Sequence, residues 1–510
     1  MARLVMHRTV TSSPREGMGR PAASAGVFLP SKRLLSAVPA ATAPAVLVLF
    51  VLSILPPSYL FLGDLRLSFT RLLLCAVFVP LLVRLLAGRA GRLRAIDILM
   101  LLFMAWSALT LLVHHGLARL PYSAITIVEN LGAYLIGRTL VRNAEDFRLL
   151  FRAVFWAMVF LAPFVIVELL TDRNLLQEIS RKILPTLSKG VSSYGRLGLN
   201  RVMASFEHPI LYGLFCAVSF APLLALHRRG RVSRLALAGF VGFMTFASLS
   251  SAPLLAVALQ IGLLAWAWAT GGRWWLLTGI IVAMYVTVDM LSNRTPITIL
   301  ISYISFDPAT AWARILIWRF GSAEMWSHPI FGIGLGDWAR PEWLTGSVDN
   351  FWLLNGMRHG VVGVMLLIAS VASGLWAVMR APGLTGDLAR LRRAYVCSLA
   401  ALYFTLCTVH VWGGIGSFVM LLIGAGVWFC DSHRNAGVAA DPVRAAEPEM
   451  PEKEGAYSRF PPRHRHPDRS LVGNIPGIAV IWTPHRRIQP LAQIASIETA
   501  ASDTSPPITR

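Results

Sequence analysis

The sequence has few charged residues for its length. Only 14% of its 510 residues are Asp, Glu, Lys or Arg, and acidic residues are the scarcer kind, with 26 against 47 basic ones. A soluble protein of this size carries about a quarter charged residues. With 55% hydrophobic residues, the composition argues against a soluble enzyme, a collagen-like fibre or a disulfide scaffold, and it predicts a polytopic membrane protein.

Cysteine is also scarce, and its positions limit what it can do. The five cysteines all lie in or at the end of apolar runs, at positions 75, 216, 397, 407 and 430. No Cys-x-x-Cys or Cys/His ligand spacing occurs, so neither a structural zinc site nor a disulfide framework is indicated. We therefore expect no metal and no cofactor.

Long apolar runs are abundant. A bilayer core of roughly 30 Å needs about 20 mostly apolar residues in a helix. We predict an all-α polytopic membrane protein with about 12 transmembrane helices, at residues 38–55, 69–86, 96–113, 123–140, 151–170, 209–226, 235–249, 253–270, 274–291, 351–379, 395–411 and 417–429. Three of these runs (235–249, 395–411 and 417–429) are short, so a count of ten or eleven remains open.

The positive charges indicate the orientation. With a cytoplasmic N-terminus and 12 helices, 33 of the 47 Lys and Arg residues, Arg138 among them, fall on the cytoplasmic side, as the positive-inside rule requires. Both termini are therefore predicted to be cytoplasmic. Because the basic residues are spread over loops and tails, we expect no nucleic-acid partner.

Two tails flank the predicted transmembrane domain (residues 38–430). Residues 1–37 are basic and lack an apolar core followed by a cleavage site, so we interpret them as a cytoplasmic tail before an uncleaved first helix. Residues 431–510 are rich in Pro, Arg, Ala and Ser, which predicts a disordered cytoplasmic extension.

Two predicted periplasmic loops are too long and polar to be mere connectors. Residues 171–208 and 292–350 contain most of the 14 outside Lys and Arg residues. Ordinary solvation or balance against nearby acids is one explanation. A phosphate-bearing ligand is the other, since a guanidinium pairs its donors with phosphate and stays charged.

Three short blocks occur in and beside these loops: Arg201 with Phe-x-His208-Pro; Arg314-x-x-x-Trp with His328-Pro-Ile-Phe-Gly-Ile-Gly-Leu-Gly; and Asp349-Asn350-Phe-Trp-Leu with Gly-Val-Val-Gly at 360–363. No predicted strand–helix unit surrounds the glycines of the second block, so they are not a dinucleotide fingerprint. We expect them to let the backbone turn sharply beside the membrane.

In the order and spacing of these blocks the chain resembles the bacterial O-antigen ligase and polymerase superfamily of membrane glycan transferases. The resemblance covers about a third of the chain. It implies a glycan donor linked through pyrophosphate to a polyprenol, at the outer face of the inner membrane, with membrane lipid around it. It suggests a flippase and a chain-length regulator as protein partners.

The resemblance also implies roles for residues. Arg201 and Arg314 would stabilise the departing pyrophosphate, with Arg196, Arg319 and Arg340 as further substrate-binding candidates. Asp349 would accept the proton of the acceptor hydroxyl or hold it. Alternatively, Asp349 is the N-cap of the tenth span; the two roles can coexist.

The remaining candidates are weaker. His208, His328 and Asn350 are assigned to substrate binding, although a histidine before proline equally suits a turn or an interface. Secondary candidates are Glu207, Asp337 and His359, and the carboxylates Glu129 and Glu168 within predicted spans. Intramembrane charges are costly and often functional, but Glu168 is close enough to the outer end to reach water.

The leading hypothesis is a metal-independent glycosyltransferase: a polymerase joining lipid-linked oligosaccharide repeats for O-antigen, exopolysaccharide or capsule. Ligases of the superfamily typically have His where this chain has Asp349, which weakens the first alternative, transfer of the glycan to lipid A-core or another acceptor. The alternative from another class is a lipid-glycan transporter, against which the predicted polar residues concentrate outside the bilayer midplane.

Overall fold

The computed structural model describes residues 42–62, 65–185, 195–228, 230–293, 295–296, 298–299, 302 and 308–431. The predicted N-terminal tail and, apart from Asp431, the predicted C-terminal tail lie outside these residues.

The described chain is largely helical, as the sequence predicts. The helices are α1 (Ala43–Ile54), α2 (Phe69–Leu86), α3 (Ala95–His115), α4 (Leu120–Leu140), α5 (Ala144–Thr171), α6 (Leu175–Ile183), α7 (Pro209–Ala217), α8 (Phe220–Leu226), α9 (Arg231–Phe246), α10 (Ser251–Ala269), α11 (Trp274–Leu291), α12 (Pro308–Ser327), α13 (Phe351–Met379), α14 (Gly386–Thr405) and α15 (Gly413–Ala425). Short 3₁₀ turns cover Leu117–Arg119 and Val427–Cys430.

One element departs from the all-α prediction. Strands β1 (Tyr59–Leu62) and β2 (Leu65–Ser68) form an antiparallel hairpin between α1 and α2, with Tyr59 opposite Ser68. Ser68 then caps α2, since its side chain accepts a hydrogen bond from the amide of Arg71. The alternation of apolar and polar residues is too short here to stand out among the apolar runs.

Eight helical segments of the described chain are long and apolar enough to cross a bilayer: Phe69–Leu86, Ala95–His115, Ala144–Thr171, Pro209–Leu226, Ser251–Ala269, Trp274–Leu291, Phe351–Met379 and Gly413–Cys430. The protein is therefore a multi-pass membrane protein. Described helices overlap all 12 predicted spans. Helices α1 and α9, however, have only 12 and 16 residues, fewer than the eight long apolar segments, and α4 and α14 contain charged residues. The count of 12 crossings stays a prediction.

The helices pack around one large apolar core, in which α4 lies against α2 and α15, and α3 lies against α13. Glycines set the closest approach. A Cβ on Gly137 of α4 would overlap the carbonyl oxygen of Leu421, and one on Gly424 of α15 would overlap that of Tyr134. Small residues let the backbones of membrane helices touch in this way, which replaces the missing hydrophobic driving force with dispersion contacts.

A buried ion cluster joins α3 and α4. Arg138, which the charge pattern assigns to the cytoplasmic side, has a side chain that is only 1% exposed and donates to the Asp97 carboxylate over 2.9 Å. The same guanidinium donates to the carbonyls of Ala90 and Arg92, and Tyr134 donates to Asp97. Every member is hydrogen-bonded, as a buried charge requires, so this charge fixes the 87–94 connection.

Candidate functional site

A cavity of about 160 Å³ brings together residues from both long segments. Five of the nine predicted site residues line it: Arg196, Arg201, His208, Arg314 and Asp349. We call it the arginine cavity. Its wall is completed by Ile210 of α7, by Ser250, Ser251 and Ala252 at the junction of α9 and α10, and by Thr310 of α12. Residues more than 100 positions apart in the sequence thus meet at one place.

The backbone on either side of Arg201 is anchored to helix ends. The Asn200 amide donates to the carbonyl of Leu169, near the end of α5, over 3.2 Å. The Val202 amide donates to the carbonyl of Ala247, just after α9, over 3.0 Å. Arg201 is therefore held on a fixed backbone between two helices, although its segment has no regular structure of its own.

Glu168 of α5 organises the next residues of that segment. Its carboxylate accepts hydrogen bonds from the amides of Met203 and Ala204, at 3.0 and 2.9 Å, and from the side-chain amide of Asn174. The expectation that Glu168 reaches water was wrong, because the residue is only 3% exposed. It acts as a buried acceptor for backbone donors, which would otherwise be left unsatisfied.

The α9–α10 junction orients the two arginines of the first segment. Arg201 Nη2 donates to Ser250 Oγ over 2.9 Å, and Arg196 Nη1 donates to the Leu249 carbonyl over 3.0 Å. Leu249 has φ of 43°, a conformation costly for a branched side chain and characteristic of functional sites. The sequence offered only small polar residues between two apolar runs as a signal of this junction.

Helix α12 supplies Arg314 and separates it from Arg319. Arg314 is 7% exposed, whereas Arg319 is exposed to solvent. Five residues at about 100° per residue place the two side chains roughly 140° apart around the helix. Only Arg314 can therefore face the cavity, and Arg319 is not brought to it.

Asp349 is not the cap of α13. Asn350 is the N-cap, and its side-chain oxygen accepts from the amide of Leu353 over 2.9 Å. The cap prediction for Asp349 was thus wrong by one residue. Asn350 consequently has a structural role beside the cavity, while the Asp349 carboxylate lines the cavity itself.

His208 caps α7, with Pro209 in the first turn. Its Nδ1 accepts a hydrogen bond from the Ile210 amide over 3.1 Å. A neutral imidazole whose Nδ1 accepts carries its proton on Nε2, so His208 offers the cavity a donor. This arrangement suits substrate binding better than removal of a proton.

Charges in the cavity influence one another strongly. Burial lowers the pKa of Arg201 to about 10, and the nearby charge of Arg196 adds to the effect. Burial, followed by Arg201 and Arg196, lowers the pKa of His208 to about 4. Burial also lowers the pKa of Arg314 and raises the pKa of Asp349, although each opposes the shift of the other. Three cations and one carboxylate surround this space, which therefore favours an anion.

The other predicted substrate-binding residues lie elsewhere. His328 is exposed and contacts Glu324 over 3.2 Å. Arg340 pairs with Asp337, and its Nε donates to the carbonyl of Leu344 over 3.1 Å. His328 thus contacts α12 and Arg340 contacts its own loop, and neither residue lines the arginine cavity.

The glycine run of the second block does turn sharply, as predicted. Gly332 and Gly334 have φ of 64° and 61°. Their turn packs against a break in α13 at Gly360, whose φ is 71°. The amides of Ile333 and Gly334 donate to the carbonyls of Met357 and Arg358, at 2.8 and 3.0 Å, which the break would otherwise leave unpaired.

Two secondary candidates have defined partners outside the cavity. Glu207 accepts hydrogen bonds from Tyr59 Oη and from Trp412 Nε1, the latter over 2.6 Å. His359 Nδ1 lies 2.8 Å from the Thr110 hydroxyl. The other two are paired with arginines: Asp337, which is exposed, with Arg340, and Glu129 with Arg71 of α2.

Among residues in the described ranges, no group of three His, Cys, Asp or Glu side chains is arranged to hold a metal ion. No protein family model and no curated protein matches the chain. We therefore infer its function from the residues and geometry of the arginine cavity.

Proposed function

We propose that the protein is an inner-membrane glycan polymerase that joins oligosaccharide repeats carried on polyprenyl pyrophosphate, for O-antigen, exopolysaccharide or capsule. The single observation that carries the proposal is the arginine cavity, where Arg196, Arg201 and Arg314 face one carboxylate, Asp349. Such an excess of guanidinium groups in a space of about 160 Å³ matches a pyrophosphate.

The chemistry follows from these positions. The oxygen of an acceptor hydroxyl forms a bond to the anomeric carbon of the donor glycan, while the bond from that carbon to the pyrophosphate oxygen breaks. The electron pair leaves with polyprenyl pyrophosphate, whose developing charge Arg201 and Arg314 stabilise. Asp349 takes the hydroxyl proton, since an ionised carboxylate accepts hydrogen bonds and His208 already uses Nδ1 to cap α7.

The proposed topology places this cavity at the periplasmic face, with both termini in the cytoplasm and residues 431–510 as a disordered extension. The 12-helix arrangement that supports it puts most basic clusters in cytoplasmic segments. In this arrangement a flippase delivers the donor to the periplasmic face, and a chain-length regulator is a further partner.

Transfer to lipid A-core by a ligase is the second candidate. It uses the same donor and the same arginines, but superfamily ligases typically have His where this chain has Asp349. Transport is disfavoured because charges in the described spans are paired: Asp97 with Arg138, which are both buried, and Glu129 with Arg71, which are partly buried. Glu168 is likewise occupied by three donors.

A deletion strain tests the proposal. Surface polysaccharide separated on a gel should lose long chains but keep one attached repeat if the protein is a polymerase. Loss of all attached glycan would identify a ligase instead. Loss of all attached glycan together with accumulation of the lipid-linked glycan on the cytoplasmic face, rather than the periplasmic face, would favour the transporter.

A further inference from the structure

A second polar cavity of about 160 Å³ lies among α3, α4, α13 and α15. It is separate from the arginine cavity in its lining residues. Its polar groups include Asn130, Asn355, Arg358 and the hydroxyl of Thr126. This wall is unusual for the interior of a helical membrane protein, where buried polar groups need a partner.

Three polar atoms of this wall have none. Ser107 Oγ, Ser417 Oγ and His410 Nδ1 are buried and have no hydrogen-bond partner among the described residues. The two serines are 5% and 1% exposed. Native proteins rarely leave such atoms unsatisfied, and those in a polar space roomy enough for water indicate bound water or a polar ligand.

The charge of the second cavity differs from that of the arginine cavity. Its lining contains one arginine, Arg358, and one glutamate, Glu129, which is already paired with Arg71 of α2. With Arg71 included, the fixed charges leave an excess of one positive charge, less than that of the arginine cavity, so an anion is less favoured here. Hydroxyl, amide and imidazole groups instead match a neutral ligand rich in hydroxyl groups.

Aromatic side chains stand at its edge. Tyr122 and Trp412 line the cavity and are 42% and 38% exposed, which marks them as the side open to solvent. Behind them, the His410 ring stacks on Phe351 and on Trp412, with ring centroids 6.1 and 5.9 Å apart. Flat apolar faces beside hydrogen-bonding groups suit a sugar ring, which has one apolar face and a polar rim.

The two cavities share a wall. His208 lines the arginine cavity and Trp412 lines the second one, and their ring centroids are 6.0 Å apart. Asp349 and Phe351, two residues apart at the start of α13, likewise line one cavity each. A ligand in the second cavity would thus lie next to the residues proposed to perform the transfer.

We propose that the second cavity binds a neutral sugar ring of the acceptor glycan. Ser107, Ser417 and His410 satisfy their free polar atoms with its hydroxyl groups, and Tyr122 and Trp412 cover its apolar face. This inference rests on the proposed function, because it names where the acceptor of that reaction binds.

Thiol protection tests the binding directly, without turnover. The full chain carrying Ser417→Cys is reconstituted in lipid vesicles and treated with iodoacetamide, and peptide mass spectrometry quantifies labelling at each site. The probe is the oligosaccharide released by mild acid from the lipid-linked glycan of the same cells. Sucrose and inorganic pyrophosphate serve as comparison ligands. Arg173→Cys, at an exposed residue of the α5–α6 connection, is the matched control.

We expect the thiol introduced by Ser417→Cys to react slowly, because Ser417 is 1% exposed but belongs to the wall of a cavity that opens to solvent. At an oligosaccharide concentration about ten times its dissociation constant, labelling should slow about tenfold. Pyrophosphate should have no effect on labelling at position 417. In Arg173→Cys, neither the oligosaccharide nor pyrophosphate should change labelling. Ser107→Cys provides a second reporter in case the first variant folds poorly.

Labelling that the oligosaccharide does not slow in either serine variant would show a cavity that holds only water, and would overturn the inference. So would a lack of labelling in both variants. Failure of the proposed function has a different signature, since polymer synthesis would then survive Arg201→Ala whatever the protection experiment shows.

Discussion

Arg201 provides the sharpest test of the proposed chemistry. Its Nη2 is held by Ser250, while its Nε is buried with no hydrogen-bond partner among the described residues. Its pKa, lowered by burial and by Arg196 to about 10, still leaves it charged at neutral pH. The side chain lines the cavity and therefore brings a full positive charge to it, which is what a departing pyrophosphate needs.

The expected magnitude follows from this geometry. Removal of one preorganised transition-state donor costs about 10²- to 10³-fold in rate, or about 2.7–4 kcal/mol. Arg201→Ala should lose this much, and so should Arg314→Ala on the facing helix. Arg201→Lys keeps the charge but loses the planar paired donors, so we expect a loss of at least about tenfold, or 1.4 kcal/mol.

The assay is the rate of polyprenyl pyrophosphate release in membranes that contain matched amounts of each variant. Arg173→Ala and Arg119→Ala are controls. Arg173 pairs with Glu178 at the surface and Arg119 is exposed, so both should retain near-normal rates. Near-normal rates in Arg201→Ala and Arg314→Ala would refute the pyrophosphate-binding mechanism.

Three further changes have defined outcomes. Gly360→Ala should lower the thermal unfolding midpoint in detergent, because positive φ and overlap with the Ile330 carbonyl cost about 2 kcal/mol or more; an unchanged midpoint would contradict the break as described. Glu168→Gln should destabilise the protein by about 1–3 kcal/mol, measured in the same way, since an amide group then faces backbone donors; full stability would argue against the anchoring role. Arg314 opposes the burial that raises the pKa of Asp349, so Arg314→Gln should raise this pKa further and move the acid limb of the rate to higher pH; a limb that stays in place would exclude Asp349 as the base.

The membrane character of the chain was predictable from the sequence alone. Burial in lipid demands long apolar helices with internally bonded backbones, and this requirement is local, so it is visible as apolar runs. The described helices overlap every predicted span for this reason. The glycine turn at Gly332 and Gly334 was predictable on the same ground, since positive φ favours glycine.

Residues that depend on a distant partner were not predictable. Glu168 was expected near water, and only the backbone amides of Met203 and Ala204 explain its burial. The family resemblance ranked Arg314 above Arg319, but hydropathy and charge alone do not distinguish them, because both lie in the same helix with similar neighbours. Helix orientation places one in the cavity and the other in solvent.

The sequence by itself determined that the chain folds in a membrane, that it forms long helices and that two of its segments are rich in arginine. These properties depend on hydropathy, charge and turn chemistry, which act over a few residues. Only the tertiary structure decided that Arg196, Arg201, His208, Arg314 and Asp349 share one cavity and that a second polar cavity adjoins it. Their proximity arises from packing of helices far apart in the chain, where the burial of many side chains, rather than any local pattern, fixes which polar groups meet.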